Sequence, residues 1–178
     1  MSHAPTSPPA PPPPLPTPPD PLSGLAPPLR TALEPVFRIQ PLHNAMPALI
    51  PALPPSDDPL ALAVQQALQN PALQHRPHLH AALLLYADLL DQSHSVSQNL
   101  HDPAGSAWHA IMHRREADFD NSLYWWSKAA NSPIPLHQAR ELVNTCRAAA
   151  STRTNPPALL QQQRNEWAAL FLWSAQIA

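Results

Sequence analysis

Proline placement is the strongest constraint on what this chain can fold into. Of its 27 prolines, 20 lie before residue 60 and 7 after. Each proline fixes φ and removes a backbone donor. A folded core therefore belongs to the C-terminal part, starting near Asp57. The 178-residue chain divides into a proline-rich tail over 1–29, a proline-interrupted arm over 30–56 and a domain over 57–178. About 120 residues are enough for one modest core.

The tail, with Pro11 to Pro14 followed by L-P-T-P-P-D-P, is expected to be a disordered, solvated polyproline II segment. Its P-x-x-P spacings suit SH3-type grooves of a protein partner. The nearest flanking base is Arg30. In the arm, prolines 35, 41, 47, 51, 54 and 55 argue against any long helix. Leu33, Val36, Phe37 and Ile39 can still dock on the core.

Helix signals recur from Asp57 onward. Asp58-Pro59 and Asp102-Pro103 each pair an N-cap with a first-turn proline. Leu79, Leu83, Tyr86 and Leu90 mark a helix over about 78–92. The next runs from Asp102 to about Ala117. A fourth follows Asp118, with Phe119, Leu123, Trp126 and Ala130 on its stripe, and ends at Asn131-Ser132-Pro133. A fifth covers about 135–150, and a sixth runs from Asn155-Pro156 nearly to the end. With only two glycines and few β-branched residues, hairpins are not expected. The fold class is all-α, a compact bundle of about five to six helices.

Net charge is −2, and Lys128 is the only lysine. No basic stripe tracks phosphates, so nucleic acid is not an expected partner. No stretch approaches the 18 apolar residues of a membrane span. The N-terminus lacks the pattern of a signal peptide. These features lead to the expectation of a cytoplasmic protein with no membrane contact. Cys146 is the single cysteine and reads as a small buried hydrophobe.

Chemistry is concentrated between Trp108 and Trp126. At about 100° per residue, His109, His113 and Glu116 share one helical stripe. Trp108, Ile111 and Met112 lie on the adjacent, core-facing side. Histidines at i and i+4 can hold one metal ion, such as zinc, from one helical face. His94, near Asp91 at the end of the preceding helix, is placed to complete the set. Glu116 is then a candidate base and Arg115 an anion clamp, with Asp118 beside them. Asp91, Asn121, Tyr124 and Trp125 are candidate contacts for a small-molecule ligand. Two plainer readings stay open. The charges of Arg114, Arg115, Glu116, Asp118 and Asp120 can form a salt-bridge network that locks a helix corner. Tyr124 and Trp125 can simply cover a neighbouring helix. The cluster His75, His78 and His80 is expected to be exposed.

The segments D-Q-S-H-S-V-S-Q (Asp91–Gln98), G-S-A-W-H-A-I-M-H-R-R-E-A-D-F-D-N-S-L-Y-W-W (Gly105–Trp126) and N-E-W-A-A-L-F-L-W (Asn165–Trp173) carry a resemblance. Together they cover 39 of the 178 residues, between a fifth and a quarter of the chain. They resemble a family of uncharacterised bacterial and fungal proteins with a G-x-x-W-H-x-x-x-H-R-R-E-x-D-x-x-N-x-x-Y-W core. The resemblance directs attention to His94, His109, His113, Arg115, Glu116, Asp118, Asn121, Tyr124 and Trp125. It brings no activity with it. The family pattern continues with R-R-V-G and a histidine before proline. Here Ser132 stands in its place before Pro133, so the resemblance carries no role over to that position. Two functions compete: a small helical enzyme with a His/carboxylate site, of hydrolase type, and a non-catalytic module tethered by its proline-rich tail.

Overall fold

The computed structural model describes residues 18–177. Among them it shows eight α-helices and no strand. They are α1 (Pro27–Ile39), α2 (Pro59–Leu68), α3 (Pro77–Tyr86), α4 (Leu90–Ser97), α5 (Pro103–Arg115), α6 (Phe119–Trp126), α7 (Leu136–Ser151) and α8 (Pro157–Ser174). The all-α class holds, with more helices than the sequence pattern suggests. Most of the proline-rich tail, residues 1–17, lies outside the described residues.

The first extra helix corrects the reading of the arm. Pro27 and Pro28 stand in the first turn of α1, where their missing donors cost nothing. Pro35 lies inside the helix but on its exposed side. Leu29, Ala32, Leu33, Val36 and Phe37 all bury, at i, i+3, i+4, i+7 and i+8. That apolar stripe outweighs the one backbone bond that Pro35 removes. Ile39, by contrast, is 46% exposed.

After α1 the arm is irregular and pinned to the domain. Leu42, Ala45, Met46 and Leu49 bury. The Ala45 carbonyl accepts from Arg164 Nε at 2.7 Å, and Asn155 Oδ1 accepts from the Leu49 N–H at 2.9 Å. Asn155 thus holds the arm, while Pro156 takes the N-cap position of α8.

The second extra helix comes from a break in the expected 78–92 helix. Asp88 adopts φ +59°, the left-handed conformation that ends α3. The Leu89 N–H reaches back to the Leu84 carbonyl at 2.9 Å, and α4 begins at Leu90. His94 therefore sits in the middle of its own short helix. The expected caps form at Asp58, which accepts from the Ala61 N–H, and at Asp102, which accepts from the N–H groups of Ala104 and Gly105. α6 stops at Trp126, short of the expected Asn131, and Ala130 is exposed while Ala129 buries.

The core centres on aromatics. Phe37, Tyr86, Trp167 and Phe171 pack with ring centroids 4.7–6.2 Å apart, and Trp108 joins through Trp167. Trp108 Nε1 donates to Ser174 Oγ at 2.9 Å and Trp167 Nε1 to the Ala82 carbonyl at 3.0 Å, so burial leaves neither donor unmet. Gly105 lets α5 approach the Leu100 segment: a Cβ there would lie 2.2 Å from Leu100 Cβ and 2.7 Å from its carbonyl oxygen. No described helix is long and apolar enough to cross a membrane.

Candidate functional site

Three elements build the site. α5 supplies His109 and His113, α4 packs beside it with His94, and α6 folds back across it. Small polar residues allow these approaches. Ser93 Oγ donates to the Ala81 carbonyl at 2.9 Å, and Ser122 Oγ donates to the Ala110 carbonyl at 2.7 Å. The α5–α6 corner turns at Ala117, φ +68°, and the Asp118 N–H bonds the His113 carbonyl at 2.9 Å. This is a left-handed helix stop made by alanine instead of glycine.

His94, His109 and His113 come together: one ring nitrogen of each lies within 4.8 Å of the others. His109 stacks on His113 at 4.6 Å and on Trp125 at 4.2 Å. The His94 ring meets both histidines edge-on, at 4.9 and 5.2 Å. His109 is 3% exposed, and neither of its ring nitrogens has a hydrogen-bond partner. Burial, with the added proximity of His113 and His94, lowers its pKa to about 4. His113 shifts down as well, chiefly by burial, against the opposing pull of Glu116.

His113 is fully engaged. Its Nδ1 lies 3.2 Å from Glu116 Oε2, and its Nε2 lies 3.0 Å from Asn121 Nδ2. An ionised carboxylate only accepts, so Nδ1 carries the proton. Nε2 then accepts from the Asn121 amide. Glu116 therefore acts on the site through His113. Together with Asp91 and Asp88 it also lines a neighbouring cavity of about 190 Å³, walled by Pro51, Ala52, Leu53 and Leu90.

Other residues picked from the sequence go elsewhere. Arg115 is wholly buried, and its polar contacts go to the end of α3, the α3–α4 link and the arm. Its guanidinium donates to the Leu85 carbonyl at 2.8 Å and the Ala48 carbonyl at 3.3 Å, and it meets Asp88 Oδ1 at 2.7 Å. It is therefore not free to clamp an anion. Asp118 caps α6, accepting from the Asn121 N–H at 3.2 Å. Tyr124 is 53% exposed and meets Trp125 edge-on, with Lys128 over its own ring. The charged residues of the corner do not bind one another: Arg114 pairs with Glu166 and Asp120 with Arg147. Of the cluster expected at the surface, His75 is exposed. His78 instead pairs with Asp102 at 2.8 Å, and His80 bonds the Leu73 carbonyl at 2.8 Å.

Sequence reading missed Asp88 and Glu166, each the buried-side partner of an arginine. Both had a signal. Asp88 is the lone acid in the apolar run Leu83–Leu90, and Glu166 stands directly before the apolar run Trp167–Trp173 of α8. A charge in such a setting needs a partner.

The depressed pKa of His109 has a consequence for stability. Above pH 6.5 the imidazole is neutral in both folded and unfolded chains, and its contribution is complete. Between pH 6.5 and about 4 the unfolded chain takes up a proton that the folded site resists, so stability falls with pH. The loss is on the order of 3 kcal/mol at the acid end. Urea unfolding of chelator-treated protein at pH 7 and 4.5 measures it. A His109→Leu variant with the same pH slope as the parent rules out His109 as the source.

No family model, curated protein or solved structure matches the chain.

Proposed function

We propose that His94, His109 and His113 form a three-histidine centre for a divalent ion such as zinc, serving a hydrolase-type reaction on a small molecule. The observation that carries this reading is His109: a buried imidazole with both nitrogens unpartnered, beside two others. Leaving such a group unsatisfied costs free energy that a bound ion would return. Its low pKa favours the neutral, ligating form at neutral pH. Ligand nitrogens around a tetrahedral zinc lie about 3.4 Å apart, so modest side-chain closure from the present spacing completes the set. Three protein ligands leave one position for water or substrate, the open arrangement of hydrolytic zinc sites.

The residues of this chain supply the surroundings. Glu116 orients His113, and Trp125 packs against His109 and shields it from water. The cavity lined by Asp91 and Glu116 is the candidate seat for the substrate. A cytoplasmic setting suits the single, buried Cys146. The proline-rich tail serves as a tether or as the ligand of a protein partner.

A second reading, a structural module without catalysis, draws on the outward pairing of Arg114, Arg115 and Asp120, which shows that much of the motif ties helices together. Metal analysis separates the two. Purified protein loaded with zinc and desalted is expected to retain one equivalent, and the His109→Ala/His113→Ala double variant none. Failure of the parent to retain zinc, together with a large fall in melting temperature in the variant, would favour the structural module.

A further inference from the structure

We propose that Asn121 is a latch on the metal centre: it holds the coordinating nitrogen of His113 in the metal-free protein and yields it to the ion, while Glu116 orients the same ring from behind. This deepens the three-histidine reading and rests on it.

The three imidazoles are not equivalent. His109 has no hydrogen-bond partner at either nitrogen, whereas His113 has one at both. Glu116 can only accept, so it fixes the Nδ1–H tautomer and directs the lone pair of Nε2 toward α6. A carboxylate behind a ligating histidine is the usual means of fixing ring orientation and raising ligand basicity. That lone pair meets Asn121 Nδ2 at 3.0 Å, so an ion bound at Nε2 would have to displace the amide.

The latch can open without moving the backbone. Asn121 stands in the first turn of α6, where Asp118 caps its N–H, and the α5–α6 corner sets its position. Its side chain is only half-buried, so a released amide reaches water. Ion binding at His113 therefore exchanges one hydrogen bond for one coordinate bond. The exchange satisfies His109 at the same time, because both ligands lie on one face of α5, four residues apart. Asn121 is thus a positioning residue that lowers affinity, and Glu116 one that raises it.

Zinc titration against a chromophoric chelator tests this on the full chain, with nitrogen-15 spectra of the histidines in the metal-free state. His113 is expected as the Nδ1–H tautomer. Asn121→Ala is expected to bind zinc roughly three- to tenfold more tightly, the worth of one net hydrogen bond. Glu116→Ala is expected to bind about 10- to 100-fold more weakly, with partial rescue by Glu116→Gln, which keeps an acceptor. A purely structural Asn121 would change melting temperature without tightening zinc. An Nε2–H tautomer at His113, or an Asn121→Ala variant that binds no more tightly than the parent, overturns the latch while leaving the metal centre standing. If neither parent nor variant binds zinc, the metal reading falls and the latch with it.

Discussion

Replacing Arg115 with alanine is expected to destabilise the protein by about 3–5 kcal/mol, the range for removing one partner of a buried ion pair. Arg115 has no exposed surface, and its guanidinium joins three separate segments. It holds the end of α3 through the Leu85 carbonyl, the arm through the Ala48 carbonyl and the α3–α4 link through Asp88. Burial raises the Asp88 pKa, and Arg115 works against that shift. Without the arginine, a carboxylate in a left-handed link loses its counter-charge, and two carbonyls lose their donor. Lysine should recover little, since an ammonium cannot span the three acceptors that a planar guanidinium reaches. Urea denaturation measures the effect. A loss below about 1 kcal/mol would show that the link holds without Arg115. Variants that remain folded should bind zinc as the parent does, if the proposed centre forms, because the polar partners of Arg115 are Leu85, Ala48 and Asp88.

Glu166→Ala is expected to cost about as much, 3–5 kcal/mol, by stranding Arg114. The two side chains form a bidentate pair, at 2.9 and 2.5 Å, between α5 and α8. Burial disfavours the Arg114 charge, but Glu166 outweighs that and raises its pKa, so the guanidinium stays charged. An apolar replacement of both, Arg114→Met with Glu166→Leu, should be far milder than either single change, because it leaves no orphaned charge. Double-mutant-cycle denaturation decides the point. Additive losses would mean that the pair is not coupled and that its short contacts contribute little.

These two arginines stand side by side in H-R-R-E, and nothing local separates their roles from those of the histidines around them. What was legible in the sequence was what short-range rules govern. Asp58-Pro59 and Asp102-Pro103 announced helix starts, because cap and first-turn chemistry depends on neighbours in the chain. The i, i+4 spacing of His109 and His113 announced a shared face for the same reason. The stripe from Leu29 to Phe37 also has a helical period, but sequence does not show that Pro35 faces water.

The α3–α4 break had no glycine or proline to mark it. It exists because Asp88 is drawn into a left-handed turn beside a buried guanidinium 27 residues away in sequence. His94 lies on the short helix that begins after that break, beside the other two histidines. Likewise, whether Glu116 acts directly or through His113, and whether Arg115 faces a ligand or the core, depended on which side of α5 meets α3, α4 and the arm. Residue order was enough for an all-helical domain, its capped starts and a histidine-bearing helix, because those follow from backbone chemistry within a few residues. Among the described residues, tertiary packing chose the partners of Arg114 and Arg115 and left the buried imidazole of His109 without one, because such pairings are settled by burial across segments far apart in the chain.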